Sequence, residues 1–257
     1  MAVSERFDFT GRSVIITGGG KGLGKVYAEE FAKAGAYVTA ADIDVKAAEA
    51  VASSLRDAGL SALGLGVDVA SEESTKAMAQ AALDRFGAID ILINNASLMS
   101  VLPRRSWLEI PVDEWDRVMA VNLRGMFLCC RAAFPAMQAQ KRGKIVNISS
   151  SRVWEGAPNR LHYTTSKAGV IGLTRALARE VGEFGITVNA LTPGMTQSET
   201  QVASSSGNYL ATRVAGRAIE RVQVPADLVG AVMFLSSPAS DFMTGQTINV
   251  DGGKSMH

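Results

Sequence analysis

The sequence predicts a single α/β domain over residues 1–257, a doubly wound parallel sheet of about seven strands with helices on both faces. Three observations predict it. Short apolar runs alternate with stretches of helical period from end to end. The runs are continuously apolar, as strands covered on both faces must be. No linker, repeat or composition break divides the chain.

Ser13-Val14-Ile15-Ile16-Thr17 is a β-branched run that stops at glycines, and Gly22 to Ala34 follows with Leu23, Val26, Tyr27 and Phe31 near helical spacing. Tyr37 to Ala41 is the next strand, Lys46 to Ala58 a helix and Ala62 to Val67 a weaker strand. Glu72 to Phe86 is helical, and Ile89 to Ile93 is a strand running into Asn94-Asn95. Val112 to Ala139 holds one long helix or two in series, with Pro135 near its end. Lys144 to Ile148 is a strand, Tyr163 to Phe184 a helix with Val170, Leu173, Leu177 and Val181 on one stripe, and Thr187 to Leu191 a strand closed by Pro193-Gly194. Ala226 to Leu235 is helical and Thr247 to Val250 is the last strand. Residues 195–216 have weak periodicity and are expected to form a mobile substrate loop.

Composition narrows the function. Lys plus Arg number 26 against 25 Asp plus Glu, so no basic excess exists to neutralise nucleic-acid phosphates. Cys129 and Cys130 are adjacent in an apolar run and read as buried small hydrophobes in a reducing compartment. No signal core or apolar span is visible, so a cytoplasmic location and no membrane partner are expected. His162 and His257 stand far apart with no metal-ligand spacing, so no metal is expected.

Gly18, Gly22 and Gly24 in Thr17-Gly18-Gly19-Gly20-Lys21-Gly22-Leu23-Gly24 link a strand to a helix. Free N–H groups and the helix dipole there favour a cofactor pyrophosphate, and glycines allow its approach. A bare strand-to-helix turn is the plainer alternative, but the strand before and the helix after both favour a dinucleotide. Asp42 ends the second strand, where a carboxylate accepts from ribose hydroxyls and repels a 2′-phosphate. No Arg occupies Asp42, Ile43 or Asp44, which predicts NAD over NADP, with Lys21 and Lys46 the nearby cations. Asp68-Val69 and Asn94-Asn95-Ala96 end the third and fourth strands. Asp68 can meet an adenine amine, and Asn94 and Asn95 can tie the sheet end together, though loop Asp and Asn are also common turn formers.

Tyr163 and Lys167 stand one helical turn apart on one face. A phenol titrates near pH 10 and a close ammonium lowers that value, so the pair can exchange a proton with an alcohol. Ser150 follows a strand end, where its hydroxyl can hold a substrate oxygen. Asn122 is an amide among apolar neighbours and needs partners; it can hold a water that relays protons from Lys167.

Together the TGGGKGLG loop, Asp68-Val69, Asn94-Asn95-Ala96, Asn122, the Ile148-Ser149-Ser150 strand end, the Tyr163–Lys167 motif, Pro193-Gly194 and the ending TGQTINVDGG resemble the short-chain dehydrogenase/reductase family over nearly the whole length. The resemblance implies a Rossmann-type domain and a catalytic tetrad of Asn122, Ser150, Tyr163 and Lys167. It implies cofactor contacts from Gly18, Gly20, Lys21, Gly22, Leu23 and Gly24, from Asp42, Ile43, Asp68 and Val69, and from Asn95, Ala96, Pro193, Gly194 and Thr196. Tyr163 and Lys167 would also touch the cofactor, Lys167 at the nicotinamide ribose. Many members are homotetramers, so a homotetramer is expected. Two departures border the substrate: Ser97 replaces the usual glycine after Asn-Asn-Ala, and Met195-Thr196-Gln197-Ser198 departs from the usual loop.

The substrate pocket is expected from Ser97, Ser150, Trp154, Tyr163 and Met195, with Leu98, Met99, Val153 and Tyr209 nearby. Trp154 can stack on a ring, or simply pack in the core. Arg104, Arg105, Arg152 and Arg160 can hold an anion, though exposed arginines are the commoner case. The segments around these residues look most like NAD-linked members acting on aryl or cyclic alcohols, similar to 1-phenylethanol and pyridoxal 4-dehydrogenases. The expected reaction interconverts a secondary alcohol and its ketone or aldehyde. A 3-oxoacyl-carrier-protein reductase using NADPH is the alternative, and a non-catalytic NAD-binding regulator is the second.

Overall fold

A computed structural model describes residues 7–199 and 214–256. Seven parallel strands form one sheet: β1 (Ser13–Thr17), β2 (Tyr37–Asp42), β3 (Ala62–Gly66), β4 (Ile91–Asn94), β5 (Gly143–Ile148), β6 (Ile186–Pro193) and β7 (Thr247–Val250). Their order is β3-β2-β1-β4-β5-β6-β7. The order reverses direction between β1 and β4, and ligands of such sheets lie at the carboxyl ends beside that switch.

Helices α1 (Gly22–Lys33), α2 (Val45–Asp57), α3 (Glu72–Phe86), α4 (Val112–Met119), α5 (Gly125–Gln140), α6 (Arg152–Glu155), α7 (Leu161–Val181) and α8 (Ala226–Ser236) connect the strands. Alternate β1 residues feed opposite faces. Val14 and Ile16 pack with Tyr27, Phe31 and Leu228, while Ile15 packs with Met78, Cys129 and Met137. Cys129 and Cys130 are free and buried, and burial pushes the Cys130 thiol up to about 12.

The expected long helix over 112–139 is two helices joined by one π turn, Ala120–Arg124, that carries Asn122. Such turns often mark functional sites. The fourth strand begins at Ile91 rather than Ile89, and just before it the Asp90 carboxylate receives Arg12 and Arg142. The α7 helix starts at Leu161, which puts Tyr163 and Lys167 in its first two turns. The short helix α6 escaped the sequence reading, since four residues carry no period. Of the expected loop at 195–216, residues 200–213, Tyr209 included, lie outside the described residues, as does His257. Among the described residues no helix is long and apolar enough to cross a membrane, and no cluster of three His, Cys, Asp or Glu could hold a metal.

Candidate active site

A cavity of about 730 Å³ opens at the carboxyl ends of the strands. It is lined at one end by Gly18, Lys21, Asp42 and Asp68, and at the other by Ser150, Tyr163, Met195 and Arg160. Ile43, Leu23, Val69, Asn95, Ala96, Lys167, Pro193, Gly194 and Thr196 also line it.

The glycine loop is shaped by contacts that exclude side chains. Gly18 sits at φ +64°, and a Cβ there would meet Ala96 Cα at 3.0 Å. A Cβ on Gly24 would run into the Gly18 carbonyl. Gly24 and Gly20 do not line the cavity, and both shape the loop: Gly20 N donates to Asp42 Oδ2, and Gly24 packs on the Gly18 carbonyl. Thr17 Oγ1 accepts from Asn95 N at 3.0 Å and Ala96 N at 3.1 Å, while Asn95 Nδ2 donates to the Thr17 carbonyl at 3.0 Å. Asn94 Nδ2 donates to Asn147 Oδ1 at 2.9 Å. Both asparagines therefore tie β1, β4 and β5 together, one of the two readings the sequence left open.

Asp42 Oδ2 accepts from Gly20 N and its Oδ1 from Asp44 N, each at 3.0 Å. The carboxylate thus braces the loop on the cavity wall. Lys21 Nζ pairs with Asp44 Oδ2 at 2.7 Å. Asp68 accepts from Ala70 N at 2.9 Å.

The residues fit a dinucleotide on two observations. The cradle around Gly18 and Gly24 has room only for bare backbone. At the N-terminus of α1, Gly22 N donates to Glu199 Oε1 at 3.0 Å. A carboxylate there stands where an anion is favoured by free N–H groups and the helix dipole. Sequence reasoning missed Glu199, because nothing local signals a contact across the length of the chain. A cofactor pyrophosphate would displace it. Glu199→Gln is therefore expected to tighten binding of the dinucleotide, NAD or NADP, about 2- to 10-fold, measured by calorimetry. Weaker binding would show that the carboxylate does not compete.

At the other end, the Tyr163 ring packs against Leu102, Val118 and Met99. Burial pushes its phenol up, opposed by the Ser150 hydroxyl bonded to it and by the charges of Arg152 and Arg160. Lys167 is fully buried; Nζ donates to the Ile148 carbonyl at 2.8 Å and lies 5.8 Å from the Tyr163 ring centre. Burial pushes it down to about 7. The lowering influence on Tyr163 thus comes from Ser150 and the arginines, where the sequence pointed to Lys167.

Asn122 is buried, with Oδ1 accepting from Leu98 N at 2.7 Å and Nδ2 donating to Leu98 O at 3.2 Å and Ser166 Oγ at 3.1 Å. Ser166 Oγ in turn donates to the Tyr163 carbonyl at 2.7 Å. The side chain therefore ties the Leu98 segment to the turn bearing Tyr163. Trp154 does not line the cavity: its Nε1 donates to Thr192 Oγ1 at 3.3 Å, because α6 turns the indole toward β6. Val153 also stays off the cavity wall. Ser97, Leu98, Met99 and Met195 do line it. Thr196 Oγ1 is taken up by the Gly194 carbonyl at 3.0 Å.

Residues 18–255 match a family model described as enoyl-(acyl carrier protein) reductase. The chain is 37% identical over 95% of its length, and 97% of the relative, to a (2S)-[(R)-hydroxy(phenyl)methyl]succinyl-CoA dehydrogenase subunit of Thauera aromatica. It is 35% identical over 95% of its length, and 98% of the relative, to a 3-oxoacyl-[acyl-carrier-protein] reductase of Staphylococcus aureus. A solved 7α-hydroxysteroid dehydrogenase, complexed with NADH and 7-oxo glycochenodeoxycholic acid, superposes with a TM-score of 0.93 at 30% identity, covering 100% of this chain and 99% of that one. The family model matched over residues 18–255 and these relatives matched over nearly their full length show that the chain is an oxidoreductase of the short-chain dehydrogenase/reductase family.

Proposed function

We propose that the protein is an NAD-dependent dehydrogenase interconverting a secondary aryl or cyclic alcohol and its carbonyl product. The observation that carries this reading is the meeting of Ser150, Tyr163 and Lys167 at one end of a cavity whose other end holds Asp42 and the glycine loop. When bound, the nicotinamide supplies the hydride acceptor for an alcohol or the donor for a ketone. Ser150 Oγ holds the substrate oxygen. Tyr163 Oη takes the hydroxyl proton in oxidation and returns it in reduction. Lys167 stands beside the phenol, one helical turn on, and would hold the nicotinamide ribose. Asn122 is a positioning residue that fixes Tyr163 through Ser166.

The aryl assignment is supported by the apolar wall of Leu98, Met99 and Met195 and by the Thauera relative, whose named substrate carries its hydroxyl on a phenyl-bearing carbon. NAD is supported by Asp42 and by the Lys21–Asp44 pair. A homotetramer is proposed with it, supported by the apolar groove of Met119, Leu123, Phe127 and Leu173 along the long helices. The two free buried thiols support a reducing cytoplasm.

The test is cofactor absorbance with NAD or NADP across a panel of secondary alcohols and their ketones. Preference for NAD with aryl alcohols is expected. Preference for NADPH with 3-oxoacyl thioesters would favour the carrier-protein reductase reading, and no turnover with any pair would favour a binding protein. Asp42→Ala is expected to cut the NAD-over-NADP ratio in kcat/KM about 10- to 100-fold by removing the like-charge clash. An unchanged ratio would remove Asp42 from cofactor choice.

A further inference from the structure

Three arginines from separate segments, Arg104, Arg152 and Arg160, line the substrate end of the cavity beside Tyr163. Arg152 and Arg160 are half-buried, and neither has an ion pair among the described residues. Arg152 Nη2 donates to the carbonyls of Ala157 at 2.8 Å and Pro158 at 2.7 Å. Arg160 Nη2 donates to the Leu102 carbonyl at 2.8 Å, and its Nη1 meets Met99 Sδ at 3.2 Å. The Nε atoms of both arginines are buried without a partner. The nearby carboxylate, Glu155, is occupied by Lys254 at 2.8 Å and by the Ser151 hydroxyl at 2.8 Å.

Neutral carbonyls hold these guanidiniums in place without neutralising them. Holding the Arg152 and Arg160 charges together half out of water is unfavourable unless an anion joins them. A guanidinium is suited to a planar oxyanion, which it engages through paired N–H donors. The cluster is also close to the chemistry. Arg152 N donates to Ser150 Oγ at 3.3 Å, and Arg160 caps the helix that carries Tyr163.

We propose that the substrate is a hydroxy acid: a secondary alcohol with an apolar body and a carboxylate a few bonds from the carbinol carbon, held by Arg152 and Arg160 with Arg104 adding positive charge. This rests on the dehydrogenase reading of the same cavity. The apolar body lies on Leu98, Met99 and Met195, the oxygen on Ser150 and Tyr163, and the carboxylate on the guanidiniums.

The test compares 3-hydroxy-3-phenylpropanoate with its methyl ester as substrates, with reduced-cofactor absorbance as the readout. The acid is expected to exceed the ester in kcat/KM by about 10- to 100-fold, the worth of one or two charge-assisted hydrogen bonds. That ratio should fall toward one in Arg160→Met and in Arg152→Met, while Arg160→Lys keeps part of it. An ester equal to the acid, or a ratio unmoved in both methionine variants, would overturn the proposal. Calorimetry with unreactive 3-phenylpropanoate and its amide, on the NAD-loaded protein, separates the two readings. Arginine-dependent binding of the acid alone, without turnover of any alcohol, would keep the anion site and reject the dehydrogenase. Oxidation of neutral alcohols without binding of the acid would do the reverse. A matched phosphate monoester bound more tightly than the acid would overturn the carboxylate assignment.

Discussion

Tyr163→Phe is expected to lower kcat for alcohol oxidation about 10³- to 10⁴-fold while changing NAD affinity by no more than about tenfold. The split follows from what the hydroxyl touches. The ring is held by Leu102, Val118 and Met99, contacts that phenylalanine keeps. The phenol oxygen alone bonds Ser150 and faces the cavity, so its removal takes away the proton acceptor and leaves the fold and the glycine loop intact. Steady-state kinetics paired with calorimetry checks both halves. Activity within about tenfold of the parent would move the proton-transfer role elsewhere, because positioned acid–base catalysis contributes about 10²-fold or more.

Lys167→Met is expected to do two opposite things. Activity should fall about 10²- to 10⁴-fold, since the side chain beside the Tyr163 phenol on the cavity wall is lost. Stability should rise. The lysine falls to about 7 in the fold from 10.5. Between those values the unfolded chain binds the extra proton, so parental stability increases with pH across that window. Below pH 7 the buried ammonium carries its full desolvation cost. At pH 6 the methionine variant, free of NAD, should therefore gain on the order of 3 kcal/mol, or about 5–10 °C in Tm, after allowing for the lost bond to the Ile148 carbonyl. The advantage should shrink as pH climbs from 7 toward 10. Thermal melts across that range check it, and a variant less stable at pH 6 would mean that the ammonium is well compensated inside the fold.

Much of this architecture could be read from the chain because local signals and tertiary demands agree. Val14, Ile15 and Ile16 form an unbroken apolar run, and the structure buries them against two different helix layers. Gly18 and Gly24 were legible because a side chain at either would collide with backbone. Tyr163 and Lys167 were legible because helical spacing places them on one face, and the start of α7 turns that face to the cavity. What escaped depends on contacts between distant segments or on structure too short to have a period. Trp154 was expected at the substrate; the four-residue helix that aims it at Thr192 leaves no trace in the sequence. Asn122 was legible as an amide in need of partners, but not which partners it takes. Its hydrogen bonds to Leu98 and Ser166 depend on a π turn that apolar patterning does not distinguish from ordinary helix. The contact of Glu199 with Gly22 exists only once distant segments are brought together, whereas Arg104, Arg152 and Arg160 were legible as anion-holding candidates and do line the cavity.

The most direct test is a ternary crystal structure of the protein with NAD and a slow or unreactive secondary alcohol. The arrangement described here predicts the alcohol oxygen within about 2.6–3.2 Å of both Ser150 Oγ and Tyr163 Oη, with the carbinol carbon facing the nicotinamide C4. An alcohol oxygen bound away from Tyr163, with the phenol still packed against Leu102 and Val118, would contradict it.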